Sequence, residues 1–374
     1  MIAAGGARYF SCLWVTLTVL RRHLHCTLPV QIWYRGSNEM SAPMLRLLER
    51  FDVECVDAEP GQLAMLGRTL GGHELKPWSI LHSRFRHVIY LDADNVPLVD
   101  PATFLDGAEY ARTGAVFWPN IYALEPSNPI WGICRIPYRA EPAFETGQLL
   151  IDKQRCWHAL HLTTHLNERS EFYYLYLCGD CNTFYVSWRM LDRPYAMPQT
   201  RPTKRTDYYA PDDPFPNTAL DQHDFSGTVA FHHRTGGTKW NAWGRNVPVA
   251  PPAWHSVIDD ALADLRLHWD GHVQPLPSPV TDEAFAETAV PVAVHYCRVG
   301  SDERLLELLP DGSIGQGCAA SERRWHLEEM TEGAVLVISG DYGDICRVSR
   351  HSDGVWRGQW TKFERMPIEI VPLA

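Results

Sequence analysis

The chain has 374 residues, 45% of them hydrophobic and 21% charged, with a formal net charge of −11 at pH 7. Length and balance describe a soluble globular protein of two domains with ample core. The acidic excess, with no basic stripe, excludes a nucleic-acid partner, and no apolar run is long enough to span a membrane.

Ile2 to Ala4 form a short apolar run, Gly5 and Gly6 a turn, and Phe10, Leu13, Trp14, Leu17 and Leu20 then recur at helical spacing. The stretch "YFSCLWVTLTVLRR" has the apolar character of a signal peptide, but Arg21 and Arg22 follow it and no small-residue cleavage site does, so it reads as the first core helix. A cytoplasmic location is the resulting expectation, with the Golgi lumen as the alternative if an N-terminal anchor is missing from this chain. "VQIWYRG" reads as a second strand, "PMLRLLERF" as a helix, "VECV" as a third strand, and "KPWSILHSRF" as a helix feeding the strand "VIYLD". This alternation predicts an α/β fold with a mostly parallel sheet and helices on both faces, binding its ligand outside the carboxyl ends of the strands. "AVFW", a long irregular segment carrying Tyr122, Trp131 and Tyr138, the strand "FETGQLLID" and helices from Lys153 to about Leu191 come next. The three aromatics suit sugar stacking or the anchoring of a long loop.

After a proline-rich, basic stretch comes the strand "TVAFHH", then "RTGGTKWNAWGRN" and a helix near His255 to His268. "QPLPSPV" reads as a linker. Beyond it "VAVHYCRV", "ERLLELL", "AVLVISG", "DICRVSR" and "MPIEIVPL" are short strand-like pieces between Asp, Gly and Ser turns. They predict a small antiparallel β-domain over residues 280–374, behind a first domain over 1–272. Its role is packing or oligomerisation, with glycan binding as the alternative; Trp356 and Trp360 fit either. Of the ten cysteines only Cys178 and Cys181 have CxxC spacing. That argues against zinc and for reduced thiols in the core.

The strand "VIYLDADNVPL" ends on Asp92 and Asp94. Buried carboxylates must be neutralised, paired or bound to a cation. Two residues apart on an extended chain, both point to one side, where one cation meets both; a solvated turn with Asp94 or Asn95 as a cap is the plainer alternative. His232 and His233 end a later strand and are followed by Gly236, Gly237 and Lys239. Two carboxylates and an imidazole suit Mn²⁺ or Mg²⁺ with positions left for phosphate oxygens, and a Lys beyond a Gly turn suits a diphosphate. Glu145, Gln148, Asp180 and Asn182 form a third polar group, with capping the favoured role for Asn182.

"KPWSILHSRFRHVIYLDADNVPL", "NPIWGICRIPYRAEPAFETGQLLIDKQRCW" and "FYYLYLCGDCNTF" together resemble the fungal-type Mnn α-mannosyltransferases of glycosyltransferase family 71 and their bacterial relatives, over roughly residues 1 to 250. A more distant likeness, in "YLDAD", "GQLLID" and "HHRTGGTKW", is to glycogenin-like and lipopolysaccharide galactosyltransferases. The resemblance implies the GT-A (Rossmann-like) fold and a retaining transfer of mannose from GDP-mannose, or of another hexose from a UDP-sugar, to a glycan or other hydroxyl acceptor. It implies Mn²⁺ or Mg²⁺ on Asp92, Asp94 and His233. Donor contacts would come from Ala4, Gly5, Arg8, Lys76, Asp92, Gly236 and Lys239, and catalytic support from Asp180, Glu145 and Gln148. Asn182 departs from the charged "GDKD" of the family, which puts a carboxylate role at 182 in doubt. The strand ahead of Gly5 is short, an expectation of a trimmed start. Competing readings are a nucleotide-sugar hydrolase or nucleotidyltransferase, for which "AAGGAR" is too short a phosphate loop, and an inactive carbohydrate-binding protein. A homo-oligomer stays open.

Overall fold

In the computed structural model, which describes residues 1–205, 219–236, 239–246, 250–279, 292–331, 333–361 and 364–373, alternating burial along the strands sorts side chains into layers. Gly237, Val280 at the end of the expected linker, and the tail of the basic stretch over 206–217 lie outside the described residues.

Chain order runs β1 (Ile2–Ala3), α1 (Gly6–Thr18), β2 (Val30–Tyr34), α2 (Ala42–Leu48), β3 (Val53–Asp57), α3 (Glu59–Leu66), α4 (Gly72–His82), β4 (His87–Asp92), β5 (Asn95–Pro97), α5 (Ala108–Thr113), β6 (Ala115–Pro119), α6 (Ile130–Ile133) and β7 (Phe144–Asp152). Strands β3-β2-β1-β4-β7-β6 form a six-stranded mixed sheet. β1, β2, β3 and β4 pair in parallel, while β7 is antiparallel to both β4 and β6. Period-two alternation sends Val88 and Tyr90 of β4 to one face and Ile89 and Leu91 to the other. Phe10, Leu13, Trp14 and Leu17 of α1 cover the second face. Trp78 of α4 packs on the first, with α7 (Trp157–Glu168) and α9 (Gly179–Met190), which a short α8 (Ser170–Tyr173) separates. Helices therefore lie on both faces, and the helices expected from Lys153 to about Leu191 are three, α7, α8 and α9.

The sequence reading missed a second, four-stranded sheet, β5-β10-β9-β8, in which β8 (Thr203–Arg205), β9 (Ala219–His223) and β10 (Val229–His233) add to β5. β10 runs antiparallel to β5, with His233 opposite Asn95 and His232 opposite Val96. Helix α10 (His255–His268) packs Ile258, Ala261, Leu262 and Leu265 into the core that α1 occupies.

The C-terminal part is a separate antiparallel sheet of seven strands: β11 (Val292–Arg298), β12 (Asp302–Leu308), β13 (Arg324–Met330), β14 (Gly333–Gly340), β15 (Gly343–Arg350), β16 (Trp356–Trp360) and β17 (Pro367–Pro372), in the order β12-β11-β17-β16-β15-β14-β13. Val294, Tyr296, Leu336, Ile338, Val348, Ile368 and Ile370 form its core. Trp356 and Trp360 belong to that core and are buried, so of the two roles open for them strand core is the one observed. The domain docks through Asn241, whose Nδ2 donates to the carbonyl of Gly300 at 2.9 Å, and through Gly271, whose carbonyl accepts from Gly300 N–H at 2.9 Å. No helix among the described residues is long and apolar enough to cross a membrane.

Candidate active site

At the carboxyl ends of β1 and β4 lies a cleft of about 670 Å³ lined by Ala4, Gly5, Lys76, Asp92, Asp94, Glu145, Asp180, His233 and Lys239, among others. That volume is in the range of small-molecule and cofactor pockets.

The extended geometry expected for Asp92 and Asp94 does not persist: β4 ends at Asp92 and a turn follows before β5 starts at Asn95. The two carboxylates meet nevertheless, because β10 delivers an imidazole between them. His233 Nε2 lies 3.3 Å from Asp94 Oδ1 and 3.8 Å from Asp92 Oδ2. All three ligand atoms fall within 4.8 Å of one another. This donor set, two carboxylate oxygens and one nitrogen, fits Mn²⁺ or Mg²⁺.

His233 is oriented from behind. Its Nδ1 is 3.1 Å from Glu145 Oε1, which fixes the ring and leaves Nε2 facing the aspartates. A bulge in β7 makes this arrangement: pairing with β6 jumps from Phe117 opposite Leu149 to Trp118 opposite Glu145, leaving residues 146–148 without a partner on β6. Gly147 sits in that bulge against the imidazole, and a Cβ there would come 2.3 Å from His233 Nδ1. Burial alone would lower the His233 pKa, but Asp94 and Glu145 outweigh it and hold the group up at about 10. Asp94, although buried, is held well below the usual carboxylate range by Lys239 and His233. Burial raises Asp92 despite the attraction of Lys76 and His233. His232 points elsewhere, with Nδ1 2.7 Å from Asp221 in the core.

Lys76 is buried. Its Nζ lies 3.1 Å from Asp92, 2.9 Å from Asp180 Oδ2 and 2.9 Å from the carbonyl of Thr146. Asp180 also accepts from Thr146 Oγ1 at 2.6 Å and stands 3.1 Å from His73 Nδ1. Despite burial, Lys76 and His73 keep its pKa well below the ordinary range. Lys239 pairs with Asp94.

Gln148 is not on the cleft wall. It is fully buried and accepts from Asn95 Nδ2 at 2.5 Å, bracing the turn that carries the aspartates from behind. Gly236 does not line the cleft either, and Arg8 lines a separate small recess with Lys239, Asn241 and Arg298. Asn182 accepts from Cys178 N–H at 2.8 Å and caps the start of α9. Tyr122 reaches the cleft, whereas Trp131 and Tyr138 pack edge-to-face on one another away from it. Tyr9, Arg35, His73, Thr146 and Gly147 escaped the sequence reading; the Gly in "FETGQ", inside an otherwise unbroken strand pattern, was the one available signal.

Residues 1–133 match the Mannosyl_trans3 family model, described as mannosyltransferase. Among characterised proteins, the α-1,2-mannosyltransferase MNN24 of Candida albicans is 24% identical over 238 residues, covering 52% of this chain and 33% of its own length. The α-1,2-mannosyltransferase MNN5 of Saccharomyces cerevisiae is 22% identical over 286 residues, covering 60% of this chain and 48% of its own. The chain thus spans between a third and a half of these relatives. Among solved structures, the galactosyltransferase LgtC with donor and acceptor sugar analogues aligns with a TM-score of 0.47 at 14% identity, over 72% of this chain and 99% of that one.

Proposed function

We propose that this protein is a metal-dependent, retaining glycosyltransferase that moves a hexose, mannose from GDP-mannose, to a hydroxyl of a glycan or other acceptor. The observation that carries this reading is the meeting of Asp92, Asp94 and His233 in one cleft beside the buried Lys76 and the partly buried Lys239. The fungal relatives, named as α-1,2-mannosyltransferases, support mannose as the sugar.

Glycosyl transfer breaks an anomeric carbon to phosphate bond. Negative charge gathers on the leaving diphosphate and positive charge on the sugar ring. Mn²⁺ or Mg²⁺ held by Asp92, Asp94 and His233 supplies Lewis-acid stabilisation of the diphosphate. Glu145 keeps the proton on His233 Nδ1, so that Nε2 presents its lone pair. Lys239 releases Asp94 and offers its ammonium to a phosphate oxygen. Ala4 and Gly5 flank the nucleoside end. Asp180, held by Lys76, His73 and Thr146, presents an ionised carboxylate that steadies the cationic sugar without reorganising.

The test is a panel of nucleotide sugars incubated with Mn²⁺, donor hydrolysis being measured apart from transfer. Turnover of GDP-mannose that is lost in Asp92→Asn and Asp94→Asn supports the assignment. UDP-hexose turnover would move the donor to that class. Sugar binding without any metal-dependent turnover would overturn the enzyme and leave a carbohydrate-binding protein.

A further inference from the structure

A second group of metal-ligating side chains lies far along the chain from Asp92 and Asp94, at the seam between the two sheets. Cys297 of β11 is directly opposite Glu303 of β12 on one side and Glu369 of β17 on the other. These residues form a row across three strands on the face turned away from the Tyr296 core, since side chains alternate. The loop after α10 closes over this row. It places His272 Nδ1 3.4 Å from Cys297 Sγ and 3.8 Å from a carboxylate oxygen of Glu303.

We infer that His272, Cys297 and Glu303 form a zinc site that ties the loop after α10 to the C-terminal sheet, with the fourth position left to water. Three observations carry the assignment. The ligand atoms of the three residues lie within 4.8 Å of one another. With Zn–N and Zn–O near 2.0–2.1 Å and Zn–S near 2.3 Å, tetrahedral coordination separates ligand atoms by about 3.3 to 3.6 Å. The two spacings to His272 Nδ1, 3.4 and 3.8 Å, are close to that range, and the third falls within 4.8 Å.

The second observation is the outer shell. His272 Nε2 lies 3.1 Å from Glu369 Oε2, and Glu369 is held in turn by Arg357 Nε at 2.8 Å. A carboxylate on the far nitrogen of a histidine sets the tautomer that a metal needs. Val273 N–H, the next residue of the loop, donates to Glu303 Oε1 at 2.8 Å and steadies the third ligand.

The third observation is charge. Glu303 and Glu369 bring two carboxylates to either side of the buried Cys297 sulfur, with His272 and Arg357 to offset them. A divalent cation reverses that balance: one thiolate and one carboxylate neutralise it, while Glu369 stays with Arg357 and His272. A thiolate, an imidazole and a carboxylate are a borderline donor set, which suits Zn²⁺ and leaves Mg²⁺ poorly served. The CxxC spacing rule could not reveal the site, because its ligands are cross-strand neighbours and a loop residue far apart in sequence.

Cobalt titration of the full-length, chelator-treated chain tests the inference. A Co²⁺–thiolate site gives a near-ultraviolet charge-transfer band that the Asp92, Asp94 and His233 group cannot produce, having no sulfur. The band is expected to saturate at about one equivalent, as a single site of this ligand count requires, and zinc should displace the cobalt. It should survive Asp92→Asn with Asp94→Asn and disappear in Cys297→Ser. Glu303→Gln, which removes a direct ligand, should weaken cobalt binding by at least the roughly ten- to hundred-fold that loss of an outer-shell partner costs, and it reports even if Cys297→Ser fails to fold. Absence of the band in the unsubstituted chain overturns the site, and so does its persistence in Cys297→Ser, which would place the thiolate elsewhere. Unchanged affinity in Glu303→Gln removes the carboxylate ligand and with it the assignment.

Discussion

The mixed sheet of the N-terminal part and the antiparallel sheet of the C-terminal part place their charges differently. In the first, four carboxylates (Asp92, Asp94, Glu145 and Asp180) crowd round Lys76, Lys239 and His233 at the walls of an open cleft, with the exposed His73 beside Asp180. In the second, the core is mostly apolar, and the one carboxylate buried beside it among the described residues, Glu322, is matched by Arg304, which lies over the Tyr296 ring. A surplus of buried negative charge costs stability and is kept where a cation is to be received. The C-terminal sheet shows no such surplus in its core, which is how a structural module is built. Substitutions in the two regions should therefore separate activity from stability.

The largest effect is expected at Asp94. Asp94→Asn should lower metal-dependent donor turnover by about a thousand-fold, the scale of losing a key electrostatic group. The metal-free protein should lose some stability as well, because a depressed carboxylate paired with Lys239 and His233 is removed, but turnover per folded molecule should still fall by that factor. A loss of turnover wholly accounted for by the unfolded fraction would break the contrast. Leu336→Ala, in the fully buried core of the C-terminal sheet, should behave in the opposite way. It should cost about 2–5 kcal/mol in denaturant unfolding, with turnover per folded molecule unchanged.

Gly147→Ala sharpens the comparison inside the cleft. The added methyl meets the His233 ring, so the half-saturating Mn²⁺ concentration should rise by roughly ten- to a hundred-fold while the fold persists. The smallest effect is expected at Asp152, the far end of the strand that carries Glu145. Although burial opposes it, hydrogen bonds from Arg86 and from the Arg155 and Gln154 amides hold its pKa below the ordinary 3.8. A depressed carboxylate contributes stability above the unfolded pKa and loses it as pH falls through the folded one. Asp152→Asn should thus cost about 1–2 kcal/mol at neutral pH, and the difference from the parent chain should shrink below about pH 4. A difference that stays constant with pH would assign the effect to packing.

Local pattern carried much of this. The strand and helix alternation up to β4, the acidic pair after "VIYL", the histidine before a glycine turn and the strand-like pieces of the C-terminal sheet are all signals within a few residues of chain. What stayed hidden depends on pairing between distant segments. The bulge in β7 exists because β6 and β7 differ in local register, and no periodicity in "FETGQLLID" announces it. Gln148 looked like a site residue for its chemistry, but its strand position turns it behind the aspartates to Asn95. The burial of Lys76 left no local signal, because its partner Asp180 is more than a hundred residues away in sequence. His272 and Cys297 meet only once the C-terminal sheet has docked.

The antiparallel pairing of β5 with β10 acts as a ruler. His233 sits opposite Asn95, one residue past Asp94, so the cation ligands are spaced by a backbone ladder rather than by side-chain flexibility. Side chains alternate along a strand, so sliding β10 by a single step would exchange the roles of the two neighbouring histidines, swinging the second towards Asp221 and the first towards the cleft. The doublet is thereby read in one frame. An insertion or deletion in the hairpin between β9 and β10 is predicted to abolish the reaction without removing a single reactive group.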